Sequence, residues 1–208
     1  MHAEINQVYG LERFFFGIEI NVIQIESRSS ASKPAVDFNV VVEPDRWEDW
    51  KLEHQLTPVE IFYYKFWKEI IKASSNTFPK WQPRNPSKSN WLSFYYVNGI
   101  PFSWAFPGKG AQKKFRVELS IEFYESAKNT QIFNLLEQQK NVIEEKTSSL
   151  EWDPQPGRKR CLISKEYSIT FKLDDVRGEL KEKLIHWGVE TMKVIIANFE
   201  PRLKKVSI

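Results

Sequence analysis

The residues of this chain with the clearest chemical potential are basic, and many of them fall in a segment that has no acidic residue. From Ile70 to Val117 the chain runs 48 residues without Asp or Glu and carries eight Lys or Arg and ten aromatic residues. Removing these eight from the total of 30 Lys and Arg leaves 22 against 27 Asp and Glu, so the net charge of +3 conceals a basic region. Nucleic acid is the commonest partner of such a region, because neutralising phosphates releases condensed counterions. The segment predicts a class of partner and no reaction.

Ten basic residues on predicted loops and strand starts are the candidate phosphate contacts. Lysine and arginine on loops suit contact with the phosphate backbone better than the reading of base edges. Trp81 or Tyr95 could stack on unpaired bases if exposed, although most aromatic residues at strand alternation should belong to the core. Solvation of an ordinary surface would also explain a run of charges. The candidates are Lys80, Arg84, Lys88, Lys109, Lys113, Lys114, Arg116, Arg158, Lys159 and Arg160.

Residue types that usually perform catalysis give no comparable signal. His2, His54 and His186 are too far apart in sequence to suggest a ligand set, and HExxH, GxSxG and GxxxxGK[ST] are absent. Cys161 is the only cysteine, and its place in a strand pattern favours a small buried residue over a nucleophile. We therefore expect no cofactor and no metal site.

Length and composition limit the architecture and the location. A chain of 208 residues with 41% apolar residues fits one folded domain with an appendage. The N-terminus has no basic stretch leading into an apolar run, and no apolar run approaches the ~20 residues of a bilayer span. We expect no membrane contact, and a single cysteine fits a reducing cytoplasm.

The N-terminal residues predict a β-hairpin. Residues 14–26 and 36–43 are rich in β-branched and aromatic side chains, and the polar stretch between them is long enough to reverse the chain. Two strands alone are marginal in water, so this hairpin needs a further surface. We assign residues 1–46 to a hairpin appendage and residues 47–57 to a linker.

Residues 58–208 predict a domain in which helices and strands alternate. Thr57 followed by Pro58 has the pattern of a helix N-cap with proline at the first helical position. The dipeptide Asn98-Gly99 predicts a tight type I′ hairpin. Residues 115–123 alternate apolar side chains with Arg116, Glu118, Ser120 and Glu122, which we expect to face solvent.

Two more helices complete the predicted domain. One covers residues 127–146, and a long last helix covers residues 175–199 and is stopped by Pro201. The order of elements predicts an α+β fold, with an antiparallel sheet of about five strands and helices packed on one face.

The pattern and order of these elements resemble an uncharacterised C-terminal domain that often follows PD-(D/E)XK, restriction-endonuclease-like domains in prokaryotic proteins. The resemblance covers roughly residues 58–203. The resemblance is based on five features, which are the helix with Phe66-Trp67, the strand Arg116-Val117-Glu118-Leu119, the long helix, the stretch Leu150-Glu151-Trp152, and the basic strand after Gly157. The stretches FFGIEINVIQI and FNVVVEPDRW resemble the last strands of the nuclease-like domain.

The resemblance implies that the catalytic strands would lie upstream of Phe14, so we expect the nuclease core to be missing. That chemistry needs carboxylates to hold Mg²⁺ and a lysine to polarise the attacking water or phosphate. Asp45 is too close to the triplet Asp49-Trp50-Lys51 for a strand and a turn between them. Asp37 is better spaced, but the resemblance places it after the catalytic motif. We assign no catalytic residue.

Two functions remain open from the sequence. The first is a non-catalytic nucleic-acid-binding accessory domain, with DNA expected over RNA. The alternative is a protein-interaction subunit, whose hairpin completes the sheet of a separately encoded nuclease-like partner by strand addition.

Overall fold

The computed structural model describes residues 17–25, 33–42, 55–79, 85–108, 110–155 and 159–206, the first two ranges as backbone. The chain divides into two compact units, residues 1–57 and 58–208. Several residues considered above lie outside the described ranges, and these are Lys80, Trp81, Arg84, Lys109, Arg158, His2, His54, Asp45 and the Asp49–Lys51 triplet.

The first unit contains an antiparallel pair of strands, β1 (Gly17–Ile25) and β2 (Lys33–Val42). β2 begins three residues before its predicted start, so that Pro34 lies in the strand opposite Gln24. Proline has no N–H to donate and is tolerated in edge strands.

The second unit is an α+β domain, as the sequence predicts. Its main sheet has five antiparallel strands in the order β3-β4-β6-β8-β7. The elements of this unit are α1 (Pro58–Thr77), β3 (Trp91–Val97), β4 (Ile100–Ala105), β5 (Gln112–Lys113), β6 (Arg116–Ile121), α2 (Ser126–Glu137), α3 (Lys140–Thr147), β7 (Glu151–Asp153), β8 (Cys161–Glu166), β9 (Phe171–Lys172), a 3₁₀ turn (Leu173–Asp175) and α4 (Gly178–Leu203).

Two local sequence signals are confirmed by the backbone. α1 begins at Pro58, directly after Thr57. Asn98 and Gly99 have φ angles of 50° and 80°, as a tight hairpin between β3 and β4 requires. The side-chain amide of Asn98 also donates to the carbonyl of Leu203 at 3.0 Å, so this turn is tied to the end of α4.

One face of the sheet is packed with aromatic side chains beneath α1 and α4. Phe66 and Trp67 of α1 contact Phe106 and Phe115, with ring centroids 4.9 to 6.4 Å apart. All four of these side chains are 2% exposed or less. Fully buried aromatic residues contribute most of the apolar area of such a core, so this cluster dominates the packing of the domain.

A close contact between α4 and this cluster depends on Gly188. A Cβ atom at this position would lie 2.8 Å from Cε1 of Phe115 and 3.1 Å from Cδ1 of Ile70. The carbonyl of Gly188 accepts a hydrogen bond from Nε1 of buried Trp104 at 2.9 Å. Glycine therefore permits an approach that any larger residue would block.

The single helix predicted over residues 127–146 is wrong, because the structure has two helices there. The chain turns at Gln138 and Gln139, where the N–H of Gln139 bonds to the carbonyl of Leu136 at 2.9 Å. α2 packs on β6 and β8, whereas α3 packs on α4. A single straight helix could not pack on both the sheet and α4. The periodicity of apolar residues in the sequence does not reveal this change of direction.

The prediction that Pro201 stops the last helix is also wrong. α4 begins at Gly178, after the 3₁₀ turn, and continues through Pro201 to Leu203. Proline removes one backbone donor near the end of a helix. Leu203 is fully buried, and the burial of this side chain offsets the lost bond.

The remaining strands form a small second sheet. β5 pairs with β9 in antiparallel register, and the Gly-rich turn before β5 is closed by a bond from the N–H of Lys114 to the carbonyl of Pro107 at 2.9 Å. None of the helices in the described ranges is long and apolar enough to cross a membrane.

Replacing Gly188 by alanine tests the close contact of α4. Alanine improves helix propensity by about 1 kcal/mol, but overpacking a filled core typically costs about 1 to 3 kcal/mol. Phe115 is fully buried and has little room to move, so we expect G188A to lower the free energy of unfolding, measured with urea.

Glu190→Ala is the matched control for G188A. Glu190 is an exposed position of the same helix, two residues further on, and its replacement should leave stability within about 0.5 kcal/mol. A G188A protein as stable as the parent protein would contradict the close approach.

Glu144 of α3 predicts an acid-sensitive component of stability. Its Oε1 atom accepts from the N–H of Leu150 and from Nε1 of Trp152, both at 2.9 Å. These bonds, that of Leu150 first, lower the pKa of Glu144 in the folded state. An unfolded glutamate titrates near pH ~4.3, so this stabilisation is present above that pH and is lost as the pH falls through the lower folded pKa.

The variant E144Q should lose that dependence on pH. We expect the difference in melting temperature between the parent protein and E144Q to shrink steadily below pH ~4.3. Glu145→Gln, at an exposed neighbouring position, is the control and should follow the parent profile. Parallel melting curves for E144Q and the parent protein across the acid range would exclude this role.

Candidate functional site

The candidate site lies on the sheet face opposite the aromatic core. Successive residues of a strand point to opposite faces, so the register fixes which side chains share this face. One row across the three strands contains Trp91, Ala105 and Arg116. The next row contains Ser93, Ser103 and Glu118. Strands β3, β4 and β6 thus present one continuous surface of mostly polar side chains.

A cleft of about 400 Å³ opens on this polar face. Small-molecule sites typically measure ~300 to 1,000 Å³, so the cleft is large enough for a ligand of that kind. Its lining residues are Asn90, Trp91, Ser93, Tyr96, Pro101, Ser103, Ala105, Pro107, Arg116, Glu118, Ser120, Glu122 and Arg160.

A largely buried ion pair lines the cleft. Nε of Arg116 is 2.5 Å from Oε2 of Glu118, and these side chains are 14% and 8% exposed. Charge-assisted bonds of this kind are stronger than neutral ones, and they fix the orientation of both groups. Glu118 therefore provides a hydrogen-bond acceptor in the lining of the cleft.

Four serines share this face of the sheet with Glu118. Oγ of Ser93 and Oγ of Ser103 share a hydrogen bond of 3.0 Å. Ser164 of β8 lies opposite Glu118 in the sheet register, and Ser120 is two residues from Glu118 on β6. The hydroxyls of Ser120 and Ser164 are buried and have no hydrogen-bond partner within the described part of the chain.

Exposed aromatic residues lie at the rim of the cleft. Trp91 is 51% exposed and Tyr96 is 41% exposed, although both belong to a sheet whose other aromatic residues are mostly buried. Tyr124, which is not among the lining residues, is 94% exposed. Nζ of Lys159 lies 5.8 Å from the centre of the Tyr124 ring. Lys159 directly precedes Arg160, which lines the cleft.

The structure brings together only some of the basic residues predicted from sequence. Arg116 and Arg160 both line the cleft, where Nε of Arg160 donates to Oε1 of Gln155 at 3.2 Å. Lys88 is exposed in the segment before β3.

Two lysines of the predicted set are engaged in local contacts. Lys114 forms an ion pair with Glu166, and this bond raises the pKa of Lys114. Nζ of Lys113 donates to the carbonyl of Gly108 at 3.0 Å. Both side chains therefore have local contacts that stabilise the chain around β5.

One sequence expectation about this face is wrong, and the exposure that stacking by Tyr95 required is not found. Glu118 and Ser120 do not face open solvent, since they are 6% and 7% exposed within a packed row of neighbours. Tyr95 does not offer its ring for stacking, because its hydroxyl donates to Oε1 of Glu200 on α4 at 2.9 Å. A register irregularity between Ser93 and Tyr95 turns Tyr95 toward the helices and leaves Tyr96 on the polar face.

Sequence reasoning missed the serines and the two exposed aromatic residues. The only signal for the serines was their place in alternating strands, where Ser93, Ser103, Ser120 and Ser164 each occupy a polar position. Nothing in the sequence marks Trp91 and Tyr96 as more exposed than their neighbours, and the exposure of Tyr96 depends on the irregularity in β3.

Two observations on the described residues concern metal binding and the cysteine thiol. In those ranges no group of three or more His, Cys, Asp or Glu side chains is placed to hold a metal ion. Cys161 is buried, as predicted, and burial together with Asp153 raises the pKa of its thiol. A thiol held in its neutral form is a poor nucleophile.

Comparison with known proteins gives one match. No curated protein and no solved structure matches the chain. The sequence profile of a family described as "Domain of unknown function (DUF4268)" matches residues 62–203, which is more than half of the chain and includes every strand of the five-stranded sheet. The chain therefore belongs to the family Domain of unknown function (DUF4268).

Proposed function

We propose that this protein is a non-catalytic nucleic-acid-binding module that binds an unpaired strand along the polar face of its sheet. The observation that carries this proposal is the exposure of Trp91 and Tyr96 beside a cleft that also contains Arg116 and Arg160. Aromatic faces that stack on bases, together with cationic groups that contact phosphates, are the usual means of binding single strands.

Trp91 and Tyr96 differ in exposure from most aromatic side chains of the domain. The domain buries most of its aromatic side chains on the opposite face of the sheet. Trp91 and Tyr96 instead remain about half exposed at the edge of a cleft. Stacking against a base would cover these rings and would remove apolar surface from water.

The distribution of charge favours an unpaired strand over a duplex. Glu118 and Glu122 line the cleft and would repel a phosphate placed there. Lys88 and Lys159 are exposed outside it. A ligand that sends bases inward and phosphates outward fits this arrangement, whereas a duplex presents its phosphates first.

The arginines retain hydrogen-bonding capacity for such a ligand. The guanidinium group has five N–H donors, and the bond to Glu118 uses only the Nε donor of Arg116. The bond from Nε of Arg160 to Gln155 likewise uses one donor. The resemblance to domains that accompany PD-(D/E)XK proteins favours DNA over RNA as the ligand.

Replacing Trp91 by alanine tests the stacking role. Base stacking is worth ~1 to 3 kcal/mol per base, so W91A should weaken binding of a labelled single-stranded oligonucleotide by roughly 5- to 150-fold. Arg160→Ala should weaken binding and reduce its dependence on salt. Fluorescence anisotropy at low and moderate salt measures both effects.

Val59→Ala and Arg177→Ala are the matched controls. Val59 is 49% exposed on α1, Arg177 is exposed before α4, and neither lines the cleft. Both variants should bind as the parent protein does. Absence of binding at low salt, or equal affinity for W91A, R160A and the parent protein, would overturn the proposal.

A second candidate function rests on the first unit of the chain. β1 and β2 form a two-stranded sheet that pairs with no other described strand. Such a pair is marginal in water, and its edges offer free backbone donors and acceptors. The resemblance to the last strands of a nuclease-like domain supports strand addition to a nuclease-like partner as the use of these edges.

Co-expression tests this second function. We expect the tagged chain to co-purify with the product of a neighbouring reading frame that carries nuclease-like strands and a (D/E)xK pattern. Proline substitutions within β1 or β2 should abolish that complex, because proline cannot donate to a neighbouring strand. A chain that stays monomeric beside such a product, or a complex that survives the proline variants, would exclude strand addition.

A further inference from the structure

The floor of the cleft contains polar groups that the contacts proposed so far leave unexplained. The hydroxyl of Ser120 lines the cleft, is buried, and has no partner within the described residues. The hydroxyl of Ser164, on β8 outside the cleft lining, is also buried and unpartnered within those residues. Buried polar groups in proteins are nearly always hydrogen-bonded, so each exception needs a reason. Binding of a ligand that supplies the missing bonds is one such reason.

The carboxylate of Glu118 defines what such a ligand must offer. Glu118 lies beside Ser120 on β6 and opposite Ser164 on β8, and only its Oε2 atom bonds to Arg116. An ionised carboxylate accepts hydrogen bonds and donates none. The ligand must therefore present N–H or O–H donors to Glu118, while serine hydroxyls can either donate or accept.

The rim and the volume of the cleft limit the ligand further. Trp91 and Tyr96 favour a flat ring, and a volume of about 400 Å³ lies at the lower end of the range for small-molecule sites. A second carboxylate, Glu122, also lines the cleft and disfavours an anionic group in the floor. A neutral aromatic ring with donors along one edge meets all of these conditions.

We infer that the cleft floor is a pocket for one unpaired nucleobase, read along its Watson–Crick edge, and that it prefers guanine. Guanine presents an imino and an amino donor side by side, which suits the acceptor Glu118, and a carbonyl oxygen next to them that can accept from a serine hydroxyl. Thymine and uracil have one such donor between two carbonyl groups. This inference rests on the proposed function and names the base that the nucleic-acid site selects.

Ser120→Ala tests the pocket through two effects of opposite sign. Removing an unpaired buried hydroxyl should leave the melting temperature of the free protein unchanged or raise it. The same change should weaken binding of guanosine monophosphate by roughly two- to tenfold, because one ligand hydrogen bond is lost. Calorimetric titration measures the affinity, and thermal denaturation measures the stability.

Base preference is measured in the same titrations. We expect the parent protein to bind guanosine monophosphate more tightly than adenosine, cytidine or thymidine monophosphate, and Glu118→Gln to lose this preference. Because E118Q also removes the partner of Arg116 and could impair folding, S120A is the decisive variant. Ser168→Ala, at an exposed position outside the cleft, is the control and should change neither affinity nor stability.

The outcomes separate this inference from the proposed function. Equal binding of the four mononucleotides, or an unchanged affinity for guanosine monophosphate in S120A, overturns the base pocket even if single strands bind through Trp91. A guanine preference that S120A weakens, in a protein that does not bind oligonucleotides, supports the pocket and overturns the proposed function. Failure of every mononucleotide and oligonucleotide to bind overturns both.

Discussion

The close packing of α4 against the aromatic cluster is the constraint on which the rest of the domain depends. Gly188 lacks a side chain, so Phe115 and Ile70 approach the helix axis, and the indole of Trp104 donates to the carbonyl of Gly188 at 2.9 Å. This single location joins α1, α4, β4 and the segment before β6. A helix that stood further away would leave Trp104 without its acceptor and would open space around fully buried rings.

The polar face of the sheet is a consequence of this packing of the opposite face. Because side chains alternate along a strand, a sheet that directs Trp104, Val117 and Leu119 toward the helices must direct Ser103, Glu118 and Ser120 the other way. The rigid core therefore fixes the spacing of the cleft residues through the backbone. Side chains held on strands are placed more accurately than side chains on loops, and this accuracy suits recognition of a flat ring better than general attraction of a charged backbone.

Local signals in the sequence predicted the elements of the fold well, and tertiary effects account for the failures. The positive φ angles at Asn98 and Gly99, the helix start at Pro58 and the alternation of β6 each depend on a few adjacent residues. The exposure of Tyr96 depends on an irregularity in β3, and the break between α2 and α3 depends on which surface each helix covers. The candidate site was predicted only in Arg116 and Arg160, because the cleft is built from serines and carboxylates that carry no motif.

The acid-free segment shows why the charge of a stretch of sequence is a poor measure of the potential at a surface. The register places Arg116 opposite Glu166, the ion pair joins Arg116 to Glu118, and Lys114 bonds to Glu166, so carboxylates from outside the segment meet its cations in space. Two cations of the segment, Lys114 and Arg116, are therefore compensated locally. Since counterion release scales with the number of phosphates neutralised, the nucleic-acid ligand proposed for this face would gain most of its affinity from stacking and from hydrogen bonds in the floor.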